Sequence, residues 1–495
     1  MPSNLSTTTR VLVLLVAAIG FLFDTYELLM FPVIGTDAIS ELLFRKDFLA
    51  LGPAEKVTVG DWAGRMLWIA ALCGGAFGLI GGLLIDRLGR RTIMIASILL
   101  YSLSPVAAAF SSELWQLVLF RCTTFVGVCV EMVAAVTWLA ELFDNKRTRE
   151  MVIGWTLAMA SLGGILVTEV YSEIVDMAKT PGKLPTLPFP DGYLAENVGW
   201  RWTLLTGLIP GALILLLLPF VPESGVWKQR RRDGTLKRPG LGELFTPQLR
   251  RTTLVTTVLS ACAYAAAFGA LQLTPLRISP GLPDLAARQA EINDSEKSAT
   301  SAPLKKELGE KKKALAQDTK ARRGDIQRWQ EIGGLTGRIL LAMLLLVLPS
   351  RLLIRIFLIP GIFLFPLSYL EIVKMDYALF AASIFFCGLL TVAQFSFMSE
   401  FLPKVFPMHL RGTGGSFATN VGGRMIGTMA ATLNTELLSK LFASEFAKPT
   451  PMDVAKAAAV IGGAVYLIAF LATFFLPAIK TEAESLPSAA PATPE

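Results

Sequence analysis

The chain has 495 residues, of which 53% are hydrophobic and 17% charged, and its mean hydropathy is +0.55. Soluble chains carry about a quarter charged residues, so this composition excludes an ordinary soluble domain and points to a membrane protein. The formal net charge of +7 sits in the loops between apolar runs rather than on one basic face, which argues against a nucleic-acid partner.

Met1–Arg10 is short and polar. The apolar run after it is too long for a signal-peptide core and ends in charged residues, so it reads as an uncleaved first span. Twelve candidate spans follow in chain order: 11–34, 63–85, 92–110, 114–142, 150–172, 200–221, 252–277, 332–348, 353–373, 377–402, 411–437 and 453–477. Each has about the 18 residues needed to cross hydrocarbon, and helices are expected because only a helix satisfies its own backbone there. The expected fold class is an all-α membrane protein, with twelve transmembrane helices in two six-helix pseudo-symmetric halves. We divide it into an N-terminal half, 1–221, a central loop, 222–251, and a C-terminal half, 252–477. The Ala/Pro/Glu-rich stretch 478–495 reads as a disordered tail.

Loop charge sets the expected orientation. The stretch 222–251 has eight Lys/Arg against three acids, and 144–150 adds Lys146, Arg147 and Arg149, whereas 36–62 and 172–199 are net acidic. Basic loops stay in the cytoplasm, so both termini and the central loop are expected there, in an inner-membrane protein. The polar segment 279–331 then lies outside. It carries eleven basic and nine acidic residues, and Lys305–Arg323 is rich in helix formers, with a break expected near Pro303. A solvated spacer is the plain reading of this segment, and a partner-docking arm is the alternative.

Glycine pairs repeat at one offset. Adding 259 to Gly74-Gly75 gives Gly333-Gly334, and adding it to Gly163-Gly164 gives Gly422-Gly423. Two matches at the same offset suggest duplicated halves. All five cysteines lie in spans and His409 is the only histidine, so neither a disulfide framework nor a metal or other cofactor is expected. Without a recognisable nucleophile–base pair, the chain does not read as an enzyme.

Ionisable residues inside spans are costly and mark function. Asp24 and Glu27 lie three apart on one face of the first span. A carboxylate held at that depth is suited to carrying a proton, and the plain alternative is a fixed ion pair with an arginine such as Arg121. Glu131 is a second buried acid in the fourth span. Arg338 and Arg424 would favour an anionic solute if they face a cavity, and Thr137, Gln272, Gln394 and Asn420 are hydrogen-bonding candidates.

Between the second and third spans stands Gly82-Leu83-Leu84-Ile85-Asp86-Arg87-Leu88-Gly89-Arg90-Arg91. Asp86 falls near the end of its own helix, where negative charge is unfavourable, so it needs a partner. Arg149 and the helix start near Gly412 are the candidates. The stretch resembles the pattern G-x-L-x-D-R-x-G-R-R of the major facilitator superfamily at every defined position. Trp138-Leu139-Ala140-Glu141 with Arg149, Gly199-Trp200-Arg201-Trp202, Pro222-Glu223-Ser224 and Leu410-Arg411-Gly412-Thr413-Gly414 resemble further signatures of its sugar-porter and metabolite:proton symporter branches. Trp138 replaces the usual tyrosine and Lys404 a usual glutamate, and the second-half copy of the loop after Gly337 lacks its acid.

The resemblance implies a secondary transporter that works by alternating access. Its partners would be a small hydrophilic solute, organic acid or sugar-like, together with protons and the lipid bilayer. It also implies proton coupling through Asp24, Glu27, Arg121 and Glu131, and a conformational latch made by Gly82, Asp86, Arg87, Gly89, Arg90, Arg91, Glu141, Arg149, Glu223 and Arg411. Toxin efflux by the same fold, and a transporter-like sensor or scaffold, are the alternatives.

Overall fold

The computed structural model describes residues 7–142, 146–178, 198–217, 240–298, 302–345, 347–407, 410–444 and 448–477, with short pieces between 180 and 194 and at 223, 228–229 and 232–233. Helices occupy all twelve expected positions. Spans one to six are Thr7–Phe44, Pro53–Leu88, Arg90–Ala109, Leu114–Leu142, Lys146–Ala178 and the broken pair Gly199–Leu205 and Leu208–Leu217. Span seven is Arg250–Ala266 continued by wider π turns to Ile278. Spans eight to ten are Ala302–Leu344, Ser350–Leu370 and Tyr377–Val405. Span eleven runs from Arg411 to Phe442 with π turns over Ala418–Gly427 and Leu433–Leu438, and span twelve is Pro451–Ala472. Eight of these helices are long and apolar enough to cross a membrane by length and composition alone.

The two halves repeat one packing scheme. Span one lies on span five and span two on span four; span seven lies on span eleven and span eight on span ten. Lipid tails are as apolar as leucine, so close backbone approach takes the place of the hydrophobic drive between spans. The glycine pairs provide that approach. Gly74 meets the span-four carbonyl of Phe125, and Gly333 meets the span-ten carbonyl of Phe385. Gly163 presses on the span-one carbonyl of Leu22, and Gly422 on the span-seven carbonyl of Thr257. The first glycine of each pair thus touches the equivalent helix of its own half. The second glycines diverge: Gly75 and Gly164 cross to the other half, at Asn420 and Glu331, whereas Gly334 and Gly423 stay within theirs, at Val392 and Tyr264.

The halves meet along two antiparallel seams. On span two, Asp61, Arg65, Trp68, Gly75 and Gly78 face Lys440, Glu436, Met425 and Asn420 of span eleven. On span five, Gly164, Glu169 and Ser172 face Glu331, Arg328 and Gly324 of span eight. One end of both seams is strongly ionic. Arg65 makes two hydrogen bonds to Glu436, at 2.5 and 3.1 Å, and Lys440 donates to Asp61 at 2.7 Å. Arg328 reaches Glu169 at 2.6 Å, and Arg323 pairs with Asp37 at 2.7 Å with both side chains buried.

At that end span one continues to Phe44, ten residues past its expected end, and carries Asp37, Ser40 and Glu41 into the protein interior. Arg201 donates to Glu41 through Nε and Nη2, at 3.1 and 2.8 Å, and to the carbonyls of Ala109 and Ser111 through Nη1, while Trp200 donates to the second Glu41 oxygen. The Gly-Trp-Arg-Trp sequence is therefore an anchor that joins spans one, three and six.

The segment 279–331 is not a solvated spacer. It folds as a helical hairpin whose first leg is Pro283–Ser298 and whose second leg is the start of span eight. Leu285, Ile292, Leu308 and Leu315 form an apolar core between the legs. The break expected near Pro303 is followed by continuous helix from Ala302 through Leu344. Arg323, Gln327, Gln330 and Glu331 are consequently buried inside the bundle.

A Cβ at Gly163 or Gly422 has no room, because the obstacle is backbone oxygen, whereas one at Gly242 meets nothing within 4 Å. Overpacking of this kind costs about 1–3 kcal/mol. Gly163→Val and Gly422→Val should each lower the melting temperature of the detergent-solubilised protein by several degrees, and Gly242→Val should leave it unchanged.

Candidate functional site

Four spans converge on one buried cluster in the bundle. Span one contributes Asp24, span four Glu131, span three Tyr101 and span eleven Arg424, all of them buried. The carboxyl groups of Asp24 and Glu131 hydrogen-bond each other. Such a bond needs a proton between the two groups, because two carboxylates only repel. The pair therefore holds at least one proton. The remaining oxygens, Asp24 Oδ1 and Glu131 Oε2, are buried without a hydrogen-bond partner, as is the Tyr101 hydroxyl. Polar groups left in this way in a native interior call for an explanation, and function is a common one.

Local sequence explains the geometry. Gly20 lies one turn before Asp24, and a Cβ there would stand 2.6 Å from Glu131 Oε1, so glycine admits the second carboxyl. Gly75 and Gly78 on span two let span eleven approach. A Cβ at 75 would be 3.0 Å from the Asn420 carbonyl and 3.3 Å from Arg424 Cβ, and one at 78 would be 2.9 Å from Asn420 Oδ1. Asn420 and Arg424 both lie in the π-wound stretch Ala418–Gly427, a distortion common at functional sites.

Arg424 lies within electrostatic reach of Asp24, Cys129 and Tyr264. Its guanidinium donates to Asn420 Oδ1 at 2.6 Å and to the Met132 sulfur at 3.6 Å. Among the described residues it forms no ion pair with a carboxylate. The cluster thus sets a proton-holding carboxyl pair of the first half against an arginine of the second half that forms no ion pair among the described residues.

Arg121 does not pair with Asp24. It donates to the carbonyls of Glu27 and Leu28, at 2.7 and 2.6 Å, and its guanidinium lies over the rings of Phe31 and Phe125. Glu27 is fully buried, neither of its oxygens has a hydrogen-bond partner, and Arg121 is the cation acting on it. Asp24 and Glu27 share a span but serve two environments.

The candidate solute-binding residues also separate. Asn420 and Arg424 belong to the central cluster. Arg338 lies beside Glu331 on span eight, where Gln327 and Gln330 donate to the Glu331 carboxylate at 2.7 and 3.2 Å. Gln394 reaches the Leu390 carbonyl and Tyr466. Gln272 stands between the two π stretches of span seven with its side-chain oxygen unpartnered. Glu331, Gln327, Gln330 and Tyr101 were not foreseen. Arg323, Gln327, Glu331, Gly334 and Arg338 fall on one helical face by their spacing, and that periodicity could have carried the eighth span back into the polar segment. A lone tyrosine in an apolar span, such as Tyr101, gives no comparable signal.

Part of the loop expected to act as a latch falls within the described residues. Gly89 has φ 99°, a left-handed turn that favours glycine, and it separates spans two and three. Glu223, just beyond span six, accepts from the backbone N–H groups of Arg90 and Arg91 at 3.0–3.2 Å. A carboxylate there caps the positive end of span three. This contact joins the start of the central loop to the first half and does not bridge the halves. Arg90 donates to the Ile85 carbonyl across the turn. Gly82, Asp86, Arg87, Thr137, Glu141, Arg149 and Arg411 have side-chain environments outside the described residues.

Comparisons with known proteins agree with this architecture. Residues 57–260 match the family described as sugar (and other) transporter. The chain is 25% identical over 194 residues to a probable 4-methylmuconolactone transporter of Cupriavidus pinatubonensis, covering 39% of this chain and 41% of that one. It is 27% identical over 185 residues to the arabinose-proton symporter of Bacillus subtilis, covering 37% and 35%. Each match spans less than half of these curated relatives. Among solved structures, a D-xylose-proton symporter superposes with a TM-score of 0.61 at 17% identity, over 94% of this chain and 98% of that chain. The chain therefore has the fold of that solved symporter, and its residues 57–260 are similar to the sugar (and other) transporter family.

Charged-group hydrogen bonds contribute about 1.5–3 kcal/mol each. Glu223→Ala should therefore speed amide hydrogen exchange at residues 90–94 by roughly tenfold or more, with Glu223→Asp intermediate and the remaining spans unchanged.

Proposed function

We propose that the protein is a secondary active transporter that moves a small carboxylate-bearing metabolite together with a proton by alternating access. The observation that carries this reading is the Asp24–Glu131 carboxyl pair facing Arg424, a guanidinium without an acidic partner among the described residues. Guanidinium and carboxylate match in geometry as well as charge. A carboxylate arriving at Arg424 neutralises the positive charge opposite the pair, so solute and proton bind cooperatively. Because the two partners belong to different halves, their binding favours closure around the solute.

In this reading the halves 1–221 and 252–477 rock about the two seams, and the central stretch 222–251 joins them. The hairpin face lies outside the cell, both termini lie in the cytoplasm, and the membrane is the inner one, as the excess of basic residues in 222–251 supports. Names among the relatives include an arabinose-proton symporter and a probable 4-methylmuconolactone transporter. The organic acid is favoured here because Gln272 and Gln394, the neutral groups that would read a polyol, are not gathered around Arg424. Asn420, which accepts from Arg424, is a secondary solute contact in this scheme, and Arg121 holds Glu27 in place. Transport without chemical conversion of the solute completes it, with no cofactor required.

Uptake into proteoliposomes tests the assignment. Asp24→Asn should abolish proton-driven accumulation while retaining counterflow exchange, and accumulation at the wild-type level would refute coupling through the pair. Arg424→Gln should raise the KM for an organic acid by at least about tenfold, the scale of one charge-assisted hydrogen bond, with Arg424→Lys intermediate.

A further inference from the structure

Beneath the hairpin lies a cavity of about 1250 Å³, away from the central cluster. Its walls come from both halves: the turn after span one, the start of span two, the stretch before span six, the end of span seven, the hairpin and the residues preceding span twelve. Six cations line it, Lys56, Arg277, Lys312, Lys313, Lys320 and Lys448, against two carboxylates, Asp47 and Glu296. Phe48, Phe189, Tyr193 and Trp202 supply apolar and aromatic wall, and Phe189 packs edge-on to both Tyr193 and Trp202.

The charges are not balanced locally. Asp47 is taken up by Lys320 at 3.3 Å, and Glu296 by Lys312 at 2.7 Å. Lys56 and Arg277 make no ion pair among the described residues, although they are neighbours: Arg277 donates to the Lys56 carbonyl at 2.9 Å. Arg277 is only 7% exposed and its Nε has no partner. It lies flat on Gly60 of span two, where any side chain would displace it. Lys56 leans toward the Phe48 ring, 5.8 Å from its centroid. Two like charges held side by side, one of them nearly buried, are costly unless an anion shares the site. An apolar wall next to them suits a ligand whose carboxylate is joined to an apolar body.

We propose that this cavity is a second binding site, separate from the central cluster, for an organic carboxylate with an aromatic or apolar body. Lys56 and Arg277 hold the carboxylate, and the wall formed by Phe48, Phe189, Tyr193 and Trp202 holds the body. Because Lys56 stands on span two and Arg277 on span seven, the ligand bridges the halves and stabilises the arrangement in which this face is closed.

The site does not depend on Arg424, so the test uses Arg424→Gln protein, purified whole in detergent, with benzoate as the probe and benzamide as its neutral isostere. Calorimetry should show saturable benzoate binding and no benzamide binding. Adding Lys56→Gln should weaken benzoate at least about tenfold, the scale of one charge-assisted hydrogen bond, and Lys56→Arg should restore it. Benzoate should also slow hydrogen exchange at residues 48–60, a readout that needs no change in the cavity. Absence of benzoate binding to Arg424→Gln protein, equal binding of benzamide, or indifference to Lys56→Gln in protein that melts normally would each overturn the proposal. Should Lys56→Gln protein melt early, unchanged exchange at 48–60 would overturn it instead. A central site that fails to transport organic acids while benzoate still binds here would refute the transport reading alone.

Discussion

The two antiparallel seams, span two on span eleven and span five on span eight, are the constraint on which the rest of the structure depends. Helices in a bilayer gain nothing by hiding apolar surface from lipid, so they associate through close packing and polar contacts. Glycine makes the packing close: Gly75 and Gly78 bring Asn420 and Arg424 to the backbone of span two, and Gly164 brings Glu331 to span five. The same contacts that hold the halves together therefore carry buried ionisable groups to the midline. The candidate site is a product of the seam rather than an addition to it.

Polar groups are distributed by the cost of burying them. On the hairpin face that cost is met by pairing, with Asp37 on Arg323, Glu41 on Arg201, Asp61 on Lys440 and Glu436 on Arg65. These pairs join elements that are distant in the chain. In the central cluster the pattern reverses: Asp24, Glu131 and Tyr101 keep polar atoms without a hydrogen-bond partner, as Glu27 does outside it, and Arg424 forms no ion pair among the described residues. Buried ion pairs are weak evidence for stability but strong determinants of register. Buried polar atoms left without partners give no such return, and the proposed proton and solute site rests on them.

The hairpin links the two regions. Its second leg is the first part of span eight, so a segment of polar sequence becomes both a cover over one end of the bundle and a wall of the seam. Arg323 stands at the junction, buried against Asp37 and over Phe48. In the proposed alternating-access cycle the halves would have to break or carry this pair, and the hairpin would help set the energy of the face it covers.

Hydropathy alone located all twelve helices, because in a bilayer length and apolarity are direct physical requirements. The glycine offset of 259 marked the duplicated halves, since close backbone approach leaves no substitute for glycine at Gly74, Gly163, Gly333 and Gly422. The intramembrane charges Asp24, Glu27, Arg121, Glu131 and Arg424 were also legible, as each is expensive where it stands. Their pairing was not. Whether Arg121 faces Asp24 or Glu27 depends on a rotation of about 60° about the axis of span one, since three residues turn a helix by roughly 300°, and no local pattern reports that angle. The start of span eight was hidden because ion pairing to Asp37 and Glu169 makes a polar helix tolerable inside the bundle. Composition and spacing determined which residues must be buried; only the tertiary structure decided which of them meet, because cluster members such as Asp24 and Arg424 lie 400 residues apart and are brought together by packing alone.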